Sequence, residues 1–217
     1  MSIKIVVADD HGIVREGLRL LCEQQDDMEM IDEAADGREA VELVRKLKPN
    51  VVLMDVSMPG LNGIEATRQI VKENPGTRVL ALSAHSNKRF VTDMFKAGAS
   101  GYILKDSLAG ELIRAIHAIM ADQRYLCPKI AKIIVDGYIH AGESKAERSL
   151  DRLTGKEREL LQLLVENKSS KEAARLLHIS VKTVDARRRE IMNKLGISGI
   201  AELTKFAIRE GLTSIEF

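Results

Sequence analysis

Cysteine is scarce in this chain: Cys22 and Cys127 are the two among 217 residues. That excludes a fold stapled by disulfides and a zinc site built on cysteine. No apolar stretch reaches the roughly 18–20 residues that a membrane-spanning helix needs. The opening MSIKIVVADD runs into two acids after six mostly apolar residues, too short a stretch for the core of a signal peptide. Neither common glycine-rich nucleotide loop occurs, so a built-in kinase or ATPase is not expected. Repeats and low-complexity tracts are missing as well. Charge of one sign is not in excess either. Lys plus Arg number 33 against 32 for Asp plus Glu, a net of +1, so the chain has no global basic footprint for nucleic acid. These absences point to a soluble, cytoplasmic chain with no membrane partner.

What is present is enough apolar side chain for a core: 45% of residues are hydrophobic and 30% charged. The length allows one or two domains. Charge is unevenly placed, with a net of −3 over 1–124, +1 over 125–150 and +3 over 151–217. The near-neutral whole hides an acidic front and a basic back.

Residues 1–124 alternate between two kinds of segment. Short β-branched runs at 3–8, 51–54 and 79–82, with weaker ones at 28–31 and 101–104, fit strands buried on both faces. Between them, apolar residues three and four apart (Val14, Leu18 and Leu21; Ala40, Leu43, Val44 and Leu47; Leu112, Ile116 and Ile119) mark helices that cover a sheet. Five strands alternating with five helices predict a doubly wound α/β domain with a five-stranded parallel sheet, flavodoxin-like in its order 2-1-3-4-5. From 125 to 146 the pattern weakens into an expected linker. Ile130, Ile133, Ile134 and Ile139 suggest a short helix there, and the run Gly142–Lys145 an exposed joint. From 147 to 217 strand signals vanish. Helix signals cluster at 156–165, 171–177, 181–195 and 200–210, with Gly196 and Gly211 at stop positions. An all-α second domain is expected.

Several reactive side chains fall at the C-terminal ends of strands. Asp9 and Asp10 follow the first, Asp55 ends the third, Ser83 the fourth and Lys105 the fifth. In an open α/β sheet that edge binds ligands, beside the point where strand order reverses. Three carboxylates in one crevice call for a cation, and hard oxygen donors suit Mg2+. Lys105 adds a point charge for anionic oxygen, and the Ser83 hydroxyl adds a donor. Nucleophile, metal and donors are what phosphoryl transfer requires. Asp55 is the expected nucleophile, since an ionised carboxylate needs no base to attack phosphorus. Taken singly, Asp9 and Asp10 read equally as caps of the following helix, and Lys105 as a solvated lysine. Their combination at successive strand ends favours a site.

These residues carry a resemblance. The pair Asp9-Asp10, the run Leu53-Met54-Asp55-Val56-Ser57-Met58-Pro59-Gly60, Ser83-Ala84 and Gly101-Tyr102-Ile103-Leu104-Lys105 together resemble the CheY-like receiver domain of a two-component response regulator, over all of 1–124. The resemblance implies phosphorylation of Asp55 by a phosphohistidine in a partner histidine kinase. It implies Mg2+ held by Asp10, Asp55 and the backbone carbonyl of Ser57, with Asp9 acting through a bound water. It also implies that Ser83 and Tyr102 form a switch pair, the hydroxyl turning toward the phosphoryl group and the ring swinging inward. Asp106 departs from the pattern, standing where many receivers have proline.

In the second half, a short helix over 172–177, the turn His178-Ile179-Ser180 and the run Val181–Arg189 read as a helix-turn-helix, with the motif at about 170–189. Residues 182–194 hold five basic and two acidic side chains. Val184, Ile191 and Leu195 mark the buried stripe, which turns Asp185, Ala186 and Arg189 outward. A plain solvated face with an Asp185–Arg189 pair is the competing reading. Leu153–Glu159, Lys171–Ala174, Val181–Val184 and Ile191–Gly196 together resemble a LuxR-type helix-turn-helix domain. With the receiver, the chain is similar to full-length response regulators of the NarL/FixJ family. That implies contacts to double-stranded DNA from Lys182, Thr183, Asp185, Ala186, Arg187, Arg188 and Arg189, a homodimer on activation, and RNA polymerase as a candidate partner. It also implies that the unphosphorylated receiver holds back the DNA-binding domain, with Gly137 and Gly142 permitting reorientation. Gly155 stands where the family usually has proline, and Ala186-Arg187 where valine-histidine is common, so operator sequences do not transfer from relatives.

The leading reading is a phosphorylation-gated transcription regulator that is not an enzyme, although its phosphoryl group is expected to be lost slowly by hydrolysis. An adaptor whose helical domain binds protein is the alternative. A metal-dependent phosphohydrolase is weaker, because no acid lies two residues after Asp55 to act as a second acid–base group.

Overall fold

The computed structural model describes residues 2–139 and 149–213. The chain divides into two compact units, Met1–Glu143 and Ser144–Phe217. The expected joint at Gly142–Lys145 lies outside the described residues.

In the first unit, β1 (Ile3–Ala8), β2 (Met28–Ala34), β3 (Val51–Asp55), β4 (Arg78–Ser83), β5 (Gly101–Leu104) and β6 (Tyr125–Leu126) form one sheet in the order β2-β1-β3-β4-β5-β6. Every pairing is parallel. Ile5–Ala8, Val51–Met54 and Val79–Leu82 are wholly buried, as expected where helices cover both faces of a parallel sheet. Those helices are α1 (Gly12–Glu23), α2 (Gly37–Leu47), α3 (Gly63–Glu73), α4 (Lys88–Ala97), α5 (Leu108–Met120) and α6 (Pro128–Ile139). Asp36, Asn62 and Asn87 cap α2, α3 and α4 by accepting backbone N–H bonds in the first turn.

The sheet thus has one strand more than the five expected, and the stretch from Tyr125 continues the first unit where a linker was expected. Gly101 and Tyr102 of β5 pair with Tyr125 and Leu126. Cys127 and Ile130 are buried in the same core, with Ile133 and Ile134 packed against it, and Gly137 lies within α6. Two residues are too few for any periodicity to announce a strand. Only the pairing partner reveals it.

In the second unit, α7 (Gly155–Val165), α8 (Ser170–Leu176), α9 (Val181–Leu195) and α10 (Ile200–Arg209) follow a 3-10 turn at Ser149–Arg152. Their core includes Leu160, Leu163, Ala173, Val184, Ile191 and Leu203. Thr154 with Glu157, and Ser169 with Glu172, form capping boxes that start α7 and α8. The Thr154 box fixes the start of α7 at Gly155. Gly196 ends α9 at φ +67, a conformation that costs glycine little.

Candidate functional site

The strand order reverses between β1 and β3, which lie side by side and run parallel. Asp9 and Asp55 therefore emerge next to each other at the switch point of the sheet. Both are buried. Lys105, the first residue beyond β5, reaches across: its Nζ lies 2.7 Å from Asp9 Oδ2 and 2.9 Å from Asp55 Oδ2. The ammonium thereby partners both buried carboxylates. Asp10 stays partly exposed at the rim. One donor atom each from Asp9, Asp10, His11 and Asp55 can be chosen so that all lie within 4.8 Å of one another.

Electrostatics follow from this crowding. Burial pushes the Asp55 carboxyl up to about 6; Lys105 pulls it down, and the neighbouring Asp9 pushes it up again. Burial alone would lower the Lys105 ammonium, but Asp55 and Asp9 outweigh it and hold it above the ordinary lysine value. One cation among three carboxylates leaves the crevice short of positive charge. The cluster of hard carboxylate oxygens fits a small divalent cation such as Mg2+.

The capping alternative for the acidic pair does not describe α1. Its N-cap is His11, which makes no side-chain capping bond, while Asp9 Oδ1 accepts the His11 amide at 2.9 Å. Arg15 in α1 donates to the Asp9 carbonyl at 2.8 Å, anchoring the loop from behind. Ser57 donates its amide to Asp55 Oδ1 at 3.3 Å. Gly63 opens α3 directly against the end of β3, and a Cβ there would overlap the Asp55 carbonyl oxygen. Sequence reading missed Gly63 and Arg15, because a backbone approach and a carbonyl acceptor leave no residue pattern.

Ser83 and Tyr102 are buried, and the Tyr102 ring lies inside the fold. They meet through a residue that sequence reading passed over. Ser83 Oγ accepts the His85 amide at 2.9 Å, and the Tyr102 hydroxyl donates to the His85 carbonyl at 2.8 Å. The His85 ring stacks on Phe90 of α4, with centroids 4.9 Å apart. Burial pushes the Tyr102 phenol up to about 12, partly offset by the Ser83 hydroxyl. Asp106 pairs with Lys129 of α6 at 3.0 Å, away from the crevice.

In the second unit, α8 and α9 flank the turn Leu177–Ser180, with His178 at φ +52. Ser180 caps α9, and its hydroxyl also meets Thr183 Oγ1 at 2.8 Å. Val184 and Ile191 are fully buried, while Lys182, Asp185 and Arg189 are exposed and Thr183, Ala186, Arg187 and Arg188 half-buried. Asp185 does not bind Arg189 through its carboxylate. It accepts from Ser170 Oγ at 3.0 Å, tying the two motif helices, whereas Arg189 Nε donates to the Asp185 carbonyl at 3.3 Å. Lys182, Arg187 and Arg188 make no ion pair with the described residues, so their charge is available to an outside anion.

The chain matches two family models: the response regulator receiver domain over residues 5–117, and the luxR family of bacterial regulatory proteins over 151–207. It is 37% identical to the oxygen regulatory protein NreC of Staphylococcus carnosus, over 97% of this chain and 99% of the relative. It is 34% identical to the transcriptional regulatory protein DegU of Brevibacillus brevis, over 99% and 96%. Among solved structures, a two-component response regulator of the LuxR family from Aurantimonas sp. SI85-9A1 is 41% identical. It superposes with a TM-score of 0.62 over 64% of this chain and all of the other.

Proposed function

The chain belongs to the NarL/FixJ family of two-component response regulators, and on that premise we propose that phosphorylation of Asp55 controls how its second unit binds DNA. A receiver joined to a LuxR-type domain is a phosphorylated, DNA-binding regulator of transcription, not a protein-binding adaptor. Among the described residues no helix is long and apolar enough to cross a membrane.

The Asp55 carboxylate attacks the phosphorus of a phosphohistidine in a partner kinase. An acyl phosphate forms as the P–N bond breaks, and the imidazole leaves with the electron pair. Lys105, held beside Asp55, balances the charge added there. Asp9 and Asp10 keep the crevice acidic and, with Asp55 and the Ser57 carbonyl, would hold Mg2+, Asp9 through a water. When bound, that ion supplies countercharge for the phosphoryl oxygens. Ser83 turns its hydroxyl toward the new phosphoryl group, which releases the His85 amide and disturbs the acceptor of Tyr102. The phosphoryl group is lost slowly to water, so the protein turns over no separate substrate.

In the second unit, Lys182, Thr183, Arg187 and Arg188 contact phosphates, while Asp185, Ala186 and Arg189 face base edges in the major groove. The active form is a homodimer on double-stranded DNA, RNA polymerase is its further partner, and the cytoplasm is its compartment. One observation supports this reading above the others: Lys105 bridges Asp9 and Asp55 at the point where strand order reverses.

The test is selection of bound fragments from random DNA by the full chain, with and without acetyl phosphate. Enrichment of a two-fold symmetric sequence that sharpens with the donor is expected. Enrichment indifferent to the donor would overturn the control by Asp55.

A further inference from the structure

We infer that Asp185 makes this protein select a cytosine in each half-site of its DNA, and that Ser170 positions the Asp185 carboxylate for that contact. The inference rests on the proposed reading in which α9 lies in the major groove with Asp185 turned to base edges.

Asp185 stands one turn into α9, and the N-terminal residues of the second motif helix are the ones that meet bases. It is exposed while Val184 beside it is fully buried, so packing of the core holds α9 with Asp185 on its open side. An exposed aspartate ordinarily samples several rotamers. Here Ser170 Oγ, at the start of α8, donates to Asp185 Oδ1 at 3.0 Å. That bond fixes the carboxylate before DNA arrives, so less side-chain freedom is lost on binding. Asp185 Oδ2 accepts no hydrogen bond from the described residues and stays open to an outside donor. Arg189 is directed to the backbone instead, its Nε donating to the Asp185 carbonyl at 3.3 Å.

The chemistry of the groove singles out one base. A carboxylate accepts hydrogen bonds and donates none. Phosphate repels it, which leaves a base edge as its partner. In the major groove guanine offers two acceptors, and thymine an acceptor and a methyl group, so both leave the carboxylate facing no donor. Adenine offers an amino group but sets the N7 acceptor beside it. Cytosine offers its N4 amino group with no acceptor on the same edge, and it is the base that an aspartate pairs with.

The experiment selects bound duplexes from random DNA with the full chain and acetyl phosphate, and compares wild type with variants at each position of the enriched half-site. Wild type should show a position that favours cytosine, with a loss of about fivefold or more for any other base. Asp185→Ala should make that position, and no other, indifferent to base. Asp185→Asn should turn its preference to adenine, whose N6 and N7 an amide pairs with. Ser170→Ala should weaken the cytosine preference at the same position, and Ser170→Thr, which keeps the hydroxyl, should restore it. Preference at a single position does not depend on how much of a variant is folded. An unchanged pattern in Asp185→Ala would overturn the contact. So would tighter binding of every sequence alike, since the carboxylate would then only repel phosphates. A uniform loss of affinity in Ser170→Ala, with the cytosine preference intact, would overturn the positioning role of Ser170. If wild type enriches no sequence at all, the reading of α9 as a base-reading helix falls together with the inference.

Discussion

Ser83 and Tyr102 are joined through one residue, the serine Oγ accepting the amide of His85 and the tyrosine hydroxyl donating to its carbonyl. The end of β4 and the middle of β5 are thereby coupled across the backbone of the loop that leads to α4. The Ser83 hydroxyl thus shares the His85 backbone with Tyr102. The His85 ring stacks on Phe90 of that helix.

Tyr102→Phe should therefore do two things. It leaves the His85 carbonyl without its donor, at a cost of about 1–2 kcal/mol in the urea unfolding of the receiver. It should also blunt the gain in DNA affinity produced by acetyl phosphate, measured by fluorescence anisotropy. In a double-mutant cycle with Ser83→Ala, the two losses of response should be less than additive. Strict additivity would mean that the residues act separately.

Asp55→Asn should abolish the hydroxylamine-labile label acquired from acetyl phosphate, since the amide is no nucleophile for phosphorus. Lys105→Ala retains the nucleophile but removes the charge 2.9 Å from it. Its labelling should slow without vanishing. Full labelling of Asp55→Asn would move the acceptor elsewhere.

Gly63→Ala places a methyl group against the Asp55 carbonyl, so the start of α3 and the end of β3 must separate. A loss of about 1–3 kcal/mol is expected, in the range of overpacked cores, together with slower labelling of Asp55. Gly17→Ala, on α1 with nothing within 4 Å of its added methyl, is the control and should be neutral or stabilising. Equal behaviour of the two variants would refute the close approach.

The second unit should lose stability in acid through Glu157. Burial pushes its carboxyl up, but Lys194 at 2.6 Å and the Thr154 hydrogen bonds outweigh burial and hold it below the usual glutamate value. A carboxyl depressed in the folded state stabilises fully above its unfolded pKa of about 4.3, and that contribution is lost as pH falls through the folded value. Lys194 is partly exposed, so the effect should be modest, about 1 kcal/mol. Glu157→Gln should lower the thermal midpoint at pH 7 and flatten its decline below pH 5. An unchanged acid limb would show that other groups govern it.

DNA affinity should fall steeply with salt, each phosphate neutralised by Lys182, Arg187 or Arg188 adding about −0.9 to the slope of log K against log salt. Lys182→Ala should weaken all sequences alike and make that slope shallower. Arg189→Ala should instead relax base preference at one position per half-site. Loss of discrimination in Lys182→Ala with none in Arg189→Ala would reverse the assigned roles.

Sequence alone determined a good deal of this protein. Buried parallel strands must be apolar along their whole length, so β1, β3 and β4 are legible as unbroken runs. Amphipathic helices betray themselves by spacing, and Val181–Leu195 is readable to its glycine stop. Asp9, Asp55, Ser83 and Lys105 are legible as candidates because each follows a strand run, where a parallel sheet gathers its ligand-binding edge. Tertiary structure alone decided the rest. Tyr125–Leu126 is a strand only because β5 offers it an open edge. Asp185 binds Ser170 rather than Arg189 because α8 docks beside it. His85 and Arg15 act on or through backbone groups, and Gly63 by having no side chain. Residue identity encodes side-chain chemistry and period, but which carbonyl meets which donor depends on distances that exist only once the chain has folded.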